Sequence, residues 1–150
     1  MFRLVCISVL FVVLTSCYST ESPKSFKSTD LVGTWELKFD GVYPYWFSQI
    51  GFTEDGRKCV LSYEFNNSGQ VSVDYYLSKY KVEDGYIYSE IAFSSTPYVR
   101  AGEVIKDRID VLARDYFEVL MVGPLPGATT EKHQRLSDVS PEALCKIVGN

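Results

Sequence analysis

Histidine is almost missing from this 150-residue chain: there is one, His133. A single imidazole with no serine or cysteine at readable spacing offers no nucleophilic triad, and it leaves the cysteines short of partners for a metal site. Positive charge is scarce as well. Fifteen Lys and Arg stand against nineteen Asp and Glu, for a net charge of −4 and a pI near 5.0, so no basic field exists to grip phosphates and nucleic acid is not an expected partner. No glycine-rich phosphate loop occurs, and no cofactor is implied. Apolar runs are all too short for a polytopic membrane protein. What is present, 46% hydrophobic, 15% aromatic and 23% charged residues, suits one compact domain with one core.

The apolar run from Leu4 to Leu14 follows Met1-Phe2-Arg3 and is interrupted by Cys6 and Ser8. As a helix it would be about 16 Å long, roughly half a hydrocarbon core, which suits a signal peptide and not a stable span. Its end, Leu14-Thr15-Ser16-Cys17, resembles a bacterial lipobox. That resemblance implies removal of residues 1–16, acylation of Cys17, anchoring of the mature chain to a bacterial membrane, and a place in the cell envelope. An ordinary secretory signal with an incidental cysteine is the alternative. Tyr18, where an aspartate would retain a lipoprotein in the inner membrane, resembles lipoproteins sent to the outer membrane, facing the periplasm. Residues 17–30 then form the lipidated cysteine and a serine-rich tether, and the folded domain is expected over 31–150. Two cysteines remain in it, Cys59 and Cys145, in an oxidising compartment; they are either paired or two buried free thiols.

From Leu31 onward apolar residues recur at every second position. Leu31, Trp35, Leu37 and Phe39 oppose Thr34, Glu36, Lys38 and Asp40, and Cys59, Leu61, Tyr63 and Phe65 oppose Lys58, Ser62 and Glu64. Val71, Val73, Tyr75 and Leu77 form another apolar stripe, as do Ile87, Ile91 and Phe93, then Ile105, Ile109 and Val111. Glycine or Asx residues punctuate the runs at Glu54-Asp55-Gly56, Asn66-Asn67-Ser68-Gly69, Glu83-Asp84-Gly85 and Arg114-Asp115. Eight strands follow, at 31–39, 47–53, 57–65, 70–81, 86–94, 103–113, 116–122 and 129–136, with no helical pattern between any two. The expected fold is all-β, an eight-stranded antiparallel up-and-down barrel, because closure removes both exposed edges. Long connections alternate with tight ones, so one mouth is open and the other pinched. Ser140-Pro141-Glu142 then starts a short C-terminal α-helix whose apolar face is Leu144, Ile147 and Val148.

Gly33-Thr34-Trp35 in the first strand, Asp115-Tyr116 in the sixth connection and Arg135 at the end of the last strand all fall at the pinched end. Together they resemble the motifs of lipocalins, in particular bacterial outer-membrane lipoproteins of that type. The resemblance implies a barrel floor built from Gly33, Trp35, Asp115, Tyr116 and Arg135, with the arginine stacked on the tryptophan. It also implies a bridge between Cys59 and Cys145, and a lipid or other small apolar ligand in the barrel. The chain departs from the pattern where Arg114 replaces a threonine and where Thr129–Arg135 is polar at nearly every position. Parity also turns Cys59 inward while the helix belongs outside, a conflict that a bulge or a strand-end twist would resolve.

At the open mouth stand Tyr43, Tyr45, Trp46 and Phe47. Aromatics there grip a ligand, plug the barrel or dock a protein partner. Tyr63, Phe65, Phe93, Tyr98 and Met121 share that end and are candidates to line a cavity, with Lys79 and Asp107 either interior polar groups or frayed strand ends. Glu90, Asp107, Asp110 and Glu118 fall where carboxylates meet across strands, yet nothing pairs them. Cys59, if unpaired, is the remaining candidate nucleophile, and His133 reads as solvated. The chain thus reads as a non-enzymatic binding lipoprotein, or as a filled barrel that acts by protein contact as an inhibitor, scaffold or assembly component. In a bacterial host fed an alkyne-tagged fatty acid, the full chain should take up label and Cys17→Ala should not; equal labelling of both would remove the lipobox reading.

Overall fold

Alternating runs of this kind become strands, and their registers carry them round into a ring. The computed structural model describes residues 25–38, 46–65, 68–122 and 129–149. A short helix α1 (Ser28–Leu31) leads into β1 (Gly33–Lys38), β2 (Trp46–Phe52), β3 (Arg57–Phe65) and β4 (Val71–Glu83). Then come β5 (Tyr86–Ser94), β6 (Val104–Leu112), β7 (Tyr116–Met121), β8 (Thr129–Leu136) and helix α2 (Pro141–Val148). Each strand pairs antiparallel with the next, and β8 returns to β1 from Thr34 opposite Leu136 to Lys38 opposite Lys132. The expected closed barrel is present, and the polar last segment is a full member of it.

Among the described residues, contacts with the barrel include several that precede Leu31. Asp30 accepts from the Lys27 backbone N–H at 2.9 Å while its own N–H donates to the Lys27 carbonyl, which rounds the chain into one helical turn. Phe26 packs against the core and Leu31 is fully buried. The Tyr80 hydroxyl lies 3.2 Å from both the Ser28 and Thr53 carbonyls, and the Val82 N–H donates to Ser28 Oγ. A segment rich in serine is therefore ordered by its hydroxyl and carbonyl groups as well as by apolar burial.

The face assignment of β3 and β4 is the reverse of the alternation reading. Lys58, Val60 and Ser62 point into the barrel, as do Tyr76, Ser78 and Tyr80. Cys59 and Leu61 point outward, where they form a second core with Leu144, Cys145 and Val148 of α2 and with Tyr63, Tyr75 and Leu77. No bulge is needed between β3 and β4, whose register is unbroken from Arg57 to Phe65. The whole strand is turned over because the helix gives its outer face something apolar to bury against. Cys59 and Cys145 are paired, with Cα atoms 5.2 Å apart. Ser140 Oγ caps α2 by accepting from the Ala143 N–H. Gly51 lets the helix close in, since a Cβ there would lie 3.2 Å from the Pro141 backbone. Cys145 takes the place expected of Ile147, which is 64% exposed.

At the pinched end Arg135 lays its guanidinium 4.0 Å from the centre of the Trp35 ring. Its Nη1 and Nε donate to the Val32 and Arg114 carbonyls, both at 2.6 Å, and Nη2 reaches the Asp30 carbonyl at 3.4 Å. Trp35 Nε1 donates to the Leu31 carbonyl. Arg114, which departs from the lipocalin pattern, is used here through its carbonyl, so its side chain is immaterial to the contact. Asp115 likewise contributes its carbonyl, to the Arg135 N–H, and is itself exposed. Tyr116 faces away from the interior and bonds Glu118.

Gly33 has φ +140°, and a Cβ on it would sit 2.2 Å from Arg135 Nη1. Gly33→Ala should lower stability by about 2 kcal/mol, through backbone strain and displacement of the guanidinium. Urea unfolding should show it as a lower midpoint at an unchanged slope.

Candidate functional site

Above the Trp35 floor the barrel holds a cavity of about 150 Å³. Its apolar wall comes from inward positions of six strands, among them Leu37, Ile50, Val60, Ile87, Ile105 and Val119, with the Phe52 and Phe117 rings toward the floor. The same parity on neighbouring strands delivers polar groups: Ser48 and Ser62, Lys58, Tyr76, Asp107, Glu131 and His133. The two serine hydroxyls bond each other at 2.9 Å. Trp35 meets Phe117 edge-on at 4.7 Å, and Phe117 stacks on His133 at 4.3 Å and 12°.

Lys58 and Asp107 form a buried ion pair, Nζ to Oδ2 3.4 Å, and Nζ also lies 3.3 Å from Ser89 Oγ. Burial works against the charge on Lys58, but the Tyr76 hydroxyl and the Asp107 and Glu131 carboxylates outweigh it and hold its pKa above the ordinary lysine value. Burial also pushes the Tyr76 hydroxyl up, against the pull of Lys58. Among the described residues four buried side-chain atoms have no hydrogen-bond partner: Thr34 Oγ1, away from the cavity, and Asp107 Oδ1 and both ring nitrogens of His133 on its wall. His133 Nε2 lies 3.3 Å from Glu131 Oε2, close enough for charge to matter but without the geometry of a hydrogen bond. Orphaned polar atoms at these depths are uncommon and costly.

Among the residues expected to line a cavity, Met121 does so. Tyr63 is on the outer face, with its ring 6.1 Å from that of Phe47. Phe65 is exposed, Phe93 lies outside against Tyr75 at 5.8 Å, and Tyr98 is 72% exposed. The reversal of β3 and β4 moves Tyr63 and Phe65, and the bulge between Leu77 and Ser78, where Phe93 and Ile91 are the partners, turns Phe93 out. Cys17, Tyr43 and Tyr45 lie outside the described residues, as does the side chain of Trp46. Of the two polar candidates Asp107 is interior and Lys79 is exposed. Glu90 and Asp110 are exposed and Glu118 faces Tyr116, so these three do not join Asp107.

His133, read as solvated, is fully buried, and with Lys58 and Glu131 it is a cavity group that alternation misplaces or leaves out. One signal in the sequence points to Lys58. A bridge from Cys59 to a helix outside the barrel requires Cys59 to face out, and that places its neighbour Lys58 inside.

No protein-family profile matches this chain, and no curated protein does. Among solved structures it is similar to a lipocalin-like protein from Bacteroides uniformis, at 12% sequence identity and a TM-score of 0.45, over 71% of this chain and 99% of that one.

Removing one member of a buried ion pair strands the other. Lys58→Met or Asp107→Leu alone should lower stability by about 3–5 kcal/mol, while the double variant stays within about 1 kcal/mol of the parent, as a double-mutant cycle in urea would measure. The pH dependence has a definite sign. Because the folded pKa of Lys58 lies above its unfolded value near 10.5, its contribution is complete below that pH and is lost as pH rises through the folded value. The parent should therefore lose stability there more steeply than the double variant.

Proposed function

We propose that this chain is a lipid-anchored protein of the bacterial envelope whose barrel binds a small molecule. The observation that carries the binding reading is the barrel cavity with three unpartnered polar atoms on its wall. A packed plug would have filled the space with apolar side chains, and a purely apolar void would have left no orphaned carboxylate oxygen. The volume narrows the ligand class. Pockets for drug-sized ligands begin near ~300 Å³, whereas 150 Å³ is room for a molecule of about benzene's size. A long acyl chain such as palmitate is too large to be enclosed there, so of the two expected ligand classes the smaller molecule is favoured over the lipid. Lipid enters the proposal as the anchor on Cys17, supported by the lipobox pattern and by an oxidised Cys59–Cys145 pair, which fits an extracytoplasmic address.

A second reading has an observation of its own. Phe65, Val71, Val73 and Phe93 are exposed on the outer face of β3, β4 and β5, where Phe65 pairs with Val71 and Leu77 with Phe93 across the ladders. A connected apolar patch of that sort is a contact surface for a protein partner.

Native mass spectrometry of the full chain from its envelope fraction, followed by solvent extraction, separates the two. A small adduct of defined mass that leaves on denaturation supports the carrier reading. An empty barrel, together with crosslinks to one protein that vanish in Phe65→Ser/Phe93→Ser, would replace it with the contact reading.

A further inference from the structure

Granted the proposed small-molecule reading, on which this inference rests, the cavity wall restricts what the molecule can be. The facing charges are one cation, Lys58, and two carboxylates, Asp107 and Glu131, around an imidazole. Lys58 turns its Nζ to internal partners, Asp107 Oδ2 at 3.4 Å and Ser89 Oγ at 3.3 Å. Its charge is already matched by Asp107, and an anion would add a third negative charge to a wall that carries two carboxylates. The unmet demand is of the opposite kind. Asp107 Oδ1 accepts and lacks a donor, and both ring nitrogens of His133 lack partners as well. The rest of the wall is aliphatic and aromatic.

We infer that the barrel recognises a small amphipathic molecule by a hydrogen-bond-donating head, a hydroxyl or an amine, seated on Asp107, and that it rejects anionic molecules of the same size. A hydroxyl satisfies the carboxylate oxygen with its proton and offers its lone pairs to the imidazole N–H. An ammonium satisfies the carboxylate and offsets the excess negative charge. Val60, Ile105 and Val119 would hold the apolar body.

The test uses four probes of closely similar size, toluene, phenol, benzylamine and benzoate, titrated into the purified full chain and followed by calorimetry and by the rise in melting temperature. Phenol and benzylamine should bind at least tenfold more tightly than toluene, with benzoate weakest. Lys58→Met/Asp107→Leu should still bind toluene but lose the preference for phenol over it. If toluene matches phenol, or if benzoate binds tightest, recognition by a donor head is overturned while the small-molecule reading stands. A preference for phenol that survives in the double variant overturns the role of Asp107. If none of the four binds, the small-molecule reading itself fails, and this inference with it.

Discussion

Arg135 donates to the main-chain carbonyls of Asp30, Val32 and Arg114 while its guanidinium covers the Trp35 ring, so one side chain ties α1, β1 and the β6–β7 connection to the last strand. A barrel of antiparallel strands holds its shape only if the first and last meet in register, and β8, being polar, has little apolar surface with which to enforce that. The guanidinium supplies the missing constraint. It aligns Trp35 opposite Arg135 and hence Leu37 opposite His133, which fixes what faces the interior higher up. The glycine at position 33 is the condition for this, because any larger residue would occupy the space of Arg135 Nη1.

With that register set, the interior has two zones. Near the floor the Trp35, Phe117, Phe52 and Tyr80 rings pack edge to face and leave no room. Above them β8 contributes Glu131 and His133, while β3 and β6 contribute Lys58 and Asp107. A buried ion pair of this length, 3.4 Å, is weak support for stability, since well-packed apolar residues in its place would serve as well. Orphaned atoms beside it add to the cost. Retaining such groups costs stability, and the polar strand that departs from the lipocalin pattern furnishes half of them.

Alternation made the strands legible, and turn chemistry placed the tight connections at 53–56, 84–85 and 113–115 within a residue or two of where they lie. The helix cap at Ser140 and the meeting of Trp35 with Arg135 were legible for the same reason: each depends on residues whose geometry is local or whose position is marked by a motif. The faces of β3 and β4 were not. Alternation says which residues share a face and is silent on which face points inward, so the more apolar set, Cys59, Leu61, Tyr75 and Leu77, reads as interior. In fact α2 covers that set from outside. His133 was misplaced by its polar neighbours, though burial is decided by the Phe117 ring stacked on it and not by the residues beside it in the chain.

Periodicity and turn propensity placed the eight strands to within two residues, the order of long and tight connections and the closed topology, and short motifs marked the meeting of Trp35 with Arg135, but they did not reveal that Asp115 gives the floor only its carbonyl or that Tyr116 faces outward. Which side of each strand is the inside depends on the packing of the whole chain. That choice is set by what the other elements can cover, and it brings Lys58, Asp107, Glu131 and His133, scattered in the sequence, onto one cavity wall. The physical reason is that a strand has two equivalent faces until a partner lies against one of them, and here the partner of β3 is a helix that begins 76 residues after that strand ends, at Pro141 against Phe65.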